Sequence, residues 1–251
     1  MRKLMFWALG ATMWCVTPVL AQTQSFEVVS IKANTSGSRA SRTSSGPDGS
    51  LKAINTTVRE LIRLSYDLFD YQLVGGPDWI NTARFDVEAK AEPGLAEPDV
   101  LAMTRSLLED RLHLKGHRET RELPIFLLTP SKDGPKLQHT VEGRLGPGGL
   151  KPGMSRRSAT GAGGEMSGSG ISMAKLIEGL VSHVGRPISD RTNLAGTFDF
   201  VLKWSGVAAP AGSDAPSLFT ALQEQLGLKL EPSKGPVEVL VIDFVDKPTE
   251  N

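Results

Sequence analysis

The stretch LLEDRLHLKGHRETRELPIFLL, residues 107–128, joins an amphipathic segment to a charged run and then to an apolar run. The stretch ALQEQLGLKLEPSKGPVEVLVI, residues 221–242, repeats this pattern at an offset of 221 minus 107, or 114. Four positions are identical, since Leu108, Leu112, Leu114 and Lys115 fall on Leu222, Leu226, Leu228 and Lys229. The apolar runs align without a gap, which predicts the same succession of a helix and strands in both places.

Two further pairs of segments repeat in the same order. RFDVEAK at 84–90 matches TFDFVLK at 197–203, and GSLKAINTTVRELI at 49–62 matches GEMSGSGISMAKLI at 164–177. Three matching blocks in one order predict an internal duplication. The domains expected from it are module one at 22–137, a Gly/Ser-rich linker at 138–163 and module two at 164–251.

Each half is predicted to be a β-α-β-β-α-β-β unit. The helices are expected after Thr56 or Thr57, from Pro98-Asp99, over 172–183 and over 217–226, on apolar periodicity and capping residues. Such a unit places two helices on one face of a small mixed sheet, so the predicted fold class is α+β with two duplicated modules.

The strand assignments carry three finer expectations. LHLKG and LPIFLLT are predicted to be two closing strands that form a hairpin. YQLVGG and RFDVEAK are predicted to be strands around a turn at 75–77, and FEVVSIK to pair with a sheet edge that the sequence does not identify. The Gly/Ser-rich stretches 35–48 and 138–170 are predicted to be flexible connections.

The first 21 residues have the pattern of a secretory signal, with Arg2 and Lys3, an apolar run, and Val-Leu-Ala before Gln22. Cleavage is expected after Ala21, which would remove Cys15 and leave an exported, periplasmic or secreted chain without cysteine. Without Arg2 and Lys3, 28 minus 2 leaves 26 basic residues against 28 acidic ones. This balance argues against nucleic acid as a partner, and no later apolar run is long enough for a transmembrane helix.

The phrases FEVVSIK, YQLVGGPDWINTARFDVEAK and GRPISDRTNLAGTFDFVLKW resemble an exported protein family of unknown function, with many paralogues in soil acidobacteria of the Solibacter type. The resemblance covers nearly the whole mature chain and brings no catalytic residues. It implies a role in envelope sensing, because relatives of this domain can be attached to membrane-embedded zinc metallopeptidases of the antirepressor type.

The second half, from MAKLIEGL to VEVLVI, also resembles the short N-terminal periplasmic domain of secretins and TonB-dependent receptors. There a helix, two strands around a glycine turn, a second helix and a two-stranded end follow one another. Domains of this kind bind other proteins and perform no chemistry, so the resemblance implies a binding role.

His113 and His117 are four residues apart, a spacing that would bring both imidazoles to one face of a helix and permit a shared zinc. The repeat favours an extended strand instead, in which four residues span about 13 Å, too far for one metal ion. The run RETRE that follows is expected to form cross-strand ion pairs on a solvated surface.

Asp86 and Asp199 recur in the FD pair of both halves. We expect an outward side chain, or a carboxylate that accepts hydrogen bonds from nearby backbone or from Arg191. His183 is expected to lie at a helix C-terminus, where the helix dipole favours it. Trp79 is expected to cover the local core.

No motif for a nucleophile, a phosphate loop or a metal site is found, and we assign no catalytic, cofactor-binding or metal-binding residue. The sequence favours a non-catalytic binding or interaction protein of the cell envelope, with an envelope or extracellular protein as partner. One alternative is a hydrolase or metal-dependent enzyme whose site brings together His113, Asp86, His183 and Asp199 between the modules. A further alternative is a sensor domain acting with a membrane peptidase or regulator.

Overall fold

The computed structural model describes residues 24–38, 40–92, 99–160, 163–206 and 216–249. The predicted signal segment and Cys15 lie outside these ranges. Among the described residues the chain forms twelve strands, arranged in three four-stranded sheets, and five α-helices. The fold is therefore mixed, and the predicted α+β class is confirmed.

The bounds of the strands are β1 (Phe26–Ala33), β2 (Arg42–Ser45), β3 (Leu51–Thr57), β4 (Leu73–Gly75), β5 (Arg84–Ala91), β6 (Lys115–Pro130), β7 (Gln138–His139), β8 (Met154–Thr160), β9 (Gly163–Ser172), β10 (Ile188–Asp190), β11 (Thr197–Ser205) and β12 (Leu228–Phe244). The helices are α1 (Val58–Ser65), α2 (Trp79–Thr82), α3 (Val100–Leu112), α4 (Met173–Val184) and α5 (Leu218–Ala221). A π-helical segment, Leu222–Leu226, continues α5. No helix in the described part of the chain has the length and apolar character needed to cross a membrane.

The four long helical segments begin where capping residues predict. Thr57 caps α1 in a reciprocal capping box with Glu60, and Asp99 accepts a hydrogen bond from the third residue of α3. Ser172 and Ser217 cap α4 and α5 in the same way. The predicted first residues of these helices are confirmed. A capping side chain marks the start of a helix because its oxygen accepts a hydrogen bond from an otherwise unpaired N–H group of the first turn.

Two antiparallel sheets form the outer parts of the molecule. One has the strand order β1-β5-β3-β2 and the other has the order β7-β11-β9-β8. FEVVSIK, whose pairing partner the sequence left open, is β1 and pairs with β5.

The third sheet, with the order β10-β6-β12-β4, joins the two halves of the chain. Its centre is a long antiparallel pair in which β6 runs beside β12 from the Lys115–Phe244 pair to the Pro130–Leu228 pair. The three-residue strands β4 and β10 pair in parallel with opposite ends of this ribbon. The middle of the ribbon therefore has only two strands.

The ribbon contributes to two separate hydrophobic cores. The core of α1, α3 and the first sheet includes Leu240, Ile242 and Val245 from β12 and the residues that follow it. The core of α4, α5 and the other outer sheet includes Phe126 and Leu128 from β6. Each half of the chain thus completes its core with side chains from the other half.

Three strand predictions are wrong. LHLKG and LPIFLLT do not form a hairpin, because Lys115–Pro130 is one continuous strand whose partner is β12. Each half was predicted to have its own small mixed sheet. The outer sheet of each half is instead antiparallel, and the one mixed sheet is shared by both halves. YQLVGG and RFDVEAK do contain strands, β4 and β5, but more than a turn at 75–77 separates them, because α2 lies between them and they belong to different sheets.

The two Gly/Ser-rich stretches also differ from the prediction of flexible connections. The first contains β2, and the second contains β7, β8 and most of β9. All residues of β2 and β8 are exposed. Strands whose two faces are exposed at a sheet edge do not need apolar side chains, which explains why hydrophobic patterning does not reveal them.

Candidate binding surface

The two histidines of the opening stretch lie apart, each beside its own carboxylate. His113 ends α3 in the left-handed conformation, at φ 49°, and its Nδ1 is 3.1 Å from Oδ2 of Asp246. His117 lies in β6, with Nδ1 2.9 Å from Oδ2 of Asp243. The strand position predicted for both histidines is confirmed for His117 and is wrong for His113, because His113 is the C-cap residue of α3. Among the residues that the structure describes, no group of three or more His, Cys, Asp or Glu side chains is placed to hold a metal ion.

The surroundings of His117 favour its protonated form. The hydrogen bond with Asp243 and the charge of that carboxylate raise the pKa of His117 above its usual value, and Glu119 adds to the effect. Nearby, Arg118 pairs with Glu238 across the ribbon. The cross-strand ion pair predicted for this segment is confirmed, although its acidic partner comes from the far end of the chain.

Asp86 holds a backbone bulge in the first outer sheet. Ile54 and Asn55 lie together opposite Asp86, which shifts the register between β3 and β5. Oδ1 of Asp86 accepts hydrogen bonds from the backbone N–H of Asn55 at 2.8 Å and from the side-chain amide of Asn34 at 2.7 Å. Asn55 has a positive φ of 54°, so the carboxylate stabilises a backbone conformation that few side chains favour.

Asp199 likewise holds a backbone bulge, in the other outer sheet. Ser169 and Gly170 lie opposite it, and Gly170 has a φ of 64°. Oδ1 of Asp199 accepts hydrogen bonds from Gly170 N at 2.9 Å and from the Thr140 hydroxyl at 2.8 Å. Partial burial would raise the pKa of Asp199, but these hydrogen bonds outweigh it and hold the pKa below its usual value. For both aspartates the partner is nearby backbone, as predicted, and Arg191 contributes no hydrogen bond to either carboxylate among the described contacts.

The remaining candidates also have local partners. The ring of His183 lies edge-on to Trp204, with centroids 4.9 Å apart, and burial together with nearby Arg157 lowers its pKa. Trp79 packs against the first core. The four side chains of the alternative enzyme site lie in four different elements: Asp86 in β5, His113 at the end of α3, His183 on α4 and Asp199 in β11. They share no partner in the described contacts.

One exposed backbone edge of the second outer sheet belongs to β8. This seven-residue strand pairs with β9 along one side, while β9 pairs with β11 along its other side, so β8 is the end of its sheet. Every residue of β8 is exposed. Along the outer side of such a strand, alternate N–H and C=O groups point away from the sheet.

The segment around β8 is basic. Residues 143–164 contain four cationic side chains and no Asp or Glu, and these cations are Arg144, Lys151, Arg156 and Arg157. None of the four takes part in an ion pair with another described residue, whereas nine ion pairs of Lys or Arg form elsewhere in the described structure. The absence of acids from this segment is visible in the sequence, but its many Gly and Ser residues predict a linker and give no sign of a binding surface.

A cleft of about 390 Å³ opens next to this segment. Lys136 and Arg144 provide its two cationic groups, Asp199 provides its carboxylate, and Gln138 and Gln225 add amides. Its apolar lining comes mainly from Leu145, Pro147, Phe200, Val201 and Leu226. We call it the basic cleft.

Comparison with known proteins identifies a family but no characterised relative. Neither the curated proteins nor the solved structures compared with the chain include a match. A family model described as protein of unknown function, DUF3738, matches residues 59–245, which extend from α1 to the end of the long ribbon and include the basic cleft, β8 and both aspartates of the bulges. The chain belongs to this uncharacterised family.

Proposed function

We propose that this protein is an exported, non-catalytic binding protein of the cell envelope that pairs β8 with an extended, acidic segment of another envelope protein. The observation that carries the proposal is the exposed outer edge of β8. A partner strand can add to such an edge through main-chain hydrogen bonds, and the side chains then select which strand is accepted.

The charge of the segment supports an acidic partner. Arg156 and Arg157 lie on β8 itself, and neither has a carboxylate partner in the described structure. Positive side chains on an edge discourage pairing with a second copy of the same edge, because the like charges repel one another. An acidic strand would instead gain complementary contacts and a faster encounter rate.

The proposed export rests on the signal-like first 21 residues and on the resemblance to an exported family. Fractionation of the natural host, followed by mass spectrometry of the N-terminus, tests it. A chain that begins at Gln22 in a periplasmic or culture fraction supports export, and an intact Met1 terminus in the cytoplasm contradicts it.

We further propose that the two halves are duplicated modules related by an approximate twofold axis through the ribbon. Glu122 pairs with Pro236, its counterpart at the offset of 114. The bulges at Asp86 and Asp199 have the same construction, and the strand order of the two outer sheets follows the same pattern. The resemblance of module two to periplasmic domains that bind proteins agrees with a binding role for the pair.

Titration of the ¹⁵N-labelled mature chain with an alternating Glu/Val peptide tests the binding proposal. The amide protons of residues 154–160 that exchange freely are expected to become protected when the peptide binds, because they become donors to its carbonyl groups. A Lys/Val peptide of the same length is the matched control, and it should bind more weakly.

The variant Arg156→Glu should weaken binding of the acidic peptide by about tenfold or more, as expected for the loss and reversal of a charged contact. Lys90→Glu makes the same change in net charge on an exposed residue of the other outer sheet, and it should bind like the unaltered protein. Equal binding of both peptides, or protection away from β8, would contradict the proposal. Crosslinking in envelope extracts then identifies the partner, and recovery of a membrane peptidase would support a sensor role.

A further inference from the structure

The basic cleft is a second candidate site, separate from the edge of β8. It is lined by β7 and β11, through Gln138 and the stretch 199–201. Its lining also includes the loop that contains Arg144, the end of the π-helical segment and Lys136. A volume of about 390 Å³ falls in the lower part of the range of about 300–1,000 Å³ that is typical of small-molecule sites.

Most polar groups of the cleft are held in fixed positions. Nζ of Lys136 donates to the carbonyl oxygen of Glu224 at 2.8 Å. The Gln225 amide accepts from the backbone N–H of Lys203 at 2.9 Å and donates to the carbonyl of the same residue at 2.8 Å. The positions of these groups therefore do not depend on a bound ligand, and less conformational freedom is lost on binding.

Arg144 differs from the other charged residues of the cleft. Its guanidinium forms no hydrogen bond or ion pair in the described structure, although it lies close enough to Asp199 to contribute to the lowered pKa of that carboxyl. Asp199 is already engaged by Gly170 N and the Thr140 hydroxyl. The planar fork of the guanidinium thus remains available for an acceptor from outside the chain, and carboxylate and phosphate groups match its geometry.

We infer that the basic cleft binds a small oxyanion, either a carboxylate or a phosphate, through the guanidinium of Arg144 with the ammonium group of Lys136 nearby. The two cations outweigh the single carboxylate of the lining, so the local charge favours an anion. The apolar side chains beside them suit a ligand that also has a short hydrocarbon part.

Separate titrations of the ¹⁵N-labelled mature chain with succinate and with inorganic phosphate test the inference and distinguish the two chemistries. A saturable change in the amide shifts of Leu145, Gly146 and Val201 is expected with at least one of them. A response to succinate alone identifies a carboxylate site, and a response to phosphate alone identifies a phosphate site. A lack of saturable shifts at these amides with both anions would overturn the inference.

Arg144→Gln is expected to weaken the binding by about tenfold or more, because it removes hydrogen bonds to a charged group. Arg156→Gln is the matched control, since it removes a cation from the same acid-free segment but outside the lining of the cleft, and it should retain the affinity within about twofold. Equal weakening by both variants would show attraction to general positive charge and would overturn the inference. Arg156→Glu impairs peptide binding without affecting the cleft, so the two proposals can fail independently.

Discussion

At the scale of single residues, the carboxylates that looked most reactive stabilise the backbone. We predict that Asp86→Ala lowers the free energy of unfolding by about 1–3 kcal/mol, because it leaves the N–H of Asn55 and the Asn34 amide without their acceptor. Urea denaturation followed by circular dichroism measures the change. Glu88→Ala, an exposed substitution on the same strand, should have little effect, and an equally large loss there would contradict the structural role of Asp86.

His117 provides a prediction about protonation. Its pKa is raised in the folded protein, so its interaction with Asp243 stabilises the fold fully below the unfolded pKa of about 6.5 and is lost as the pH rises through the folded value. NMR titration of the imidazole should therefore give a pKa above the ordinary one. Asp243→Asn should move it back towards that value, whereas Asp246→Asn, beside His113, should leave it unchanged.

At the scale of the elements, the two faces of β6 have different neighbours. Leu128 is fully buried in the second core, while the adjacent Leu127 is partly exposed on the opposite face. Leu128→Ala should lower the free energy of unfolding by about 2–5 kcal/mol through loss of burial and creation of a cavity. Leu127→Ala is the control and should cost clearly less in the same denaturation experiment. Equal losses of stability would contradict the placement of Leu128 and Leu127 on opposite faces of β6.

The helices could be predicted from sequence and the pairing of the long strands could not, for identifiable reasons. Thr57, Asp99 and Ser172 are local signals, and each acts within one turn of the helix that it begins. Gly116 and Pro124 resemble interruptions of a strand, but the partner that keeps β6 continuous lies more than one hundred residues away, as the Arg118–Glu238 pair shows. Local patterns therefore contain no information about that partner.

At the candidate binding surface, too, local features could be predicted from sequence and contacts between distant residues could not. The FD pairs were visible as a repeat, and their role as acceptors for nearby backbone was predicted. The basic cleft combines Lys136 and Arg144 with Asp199 and Gln225, which lie more than fifty residues further along the chain. Only the acid-free segment 143–164 could have drawn attention to it from sequence.

At the scale of the whole molecule, the shared ribbon makes the two halves depend on each other. The fragment 22–137 lacks Leu240, Ile242 and Val245, which complete the first core, and the fragment 138–251 lacks Phe126 and Leu128 from the second. We predict that neither fragment alone shows a cooperative thermal transition and that mixing the two restores one. Calorimetry of each fragment and of the mixture measures this, and a fragment that melts cooperatively by itself would contradict the prediction.

The same ribbon has a consequence during synthesis. The pairs between β6 and β12 join residues about 98 to 129 positions apart, from Pro130–Leu228 to Lys115–Phe244. Contacts between such distant positions are formed slowly, since a long loop must close before they contribute stability. The first core cannot close until the ribosome has made nearly the whole chain, so the nascent protein stays open to chaperones for most of its synthesis.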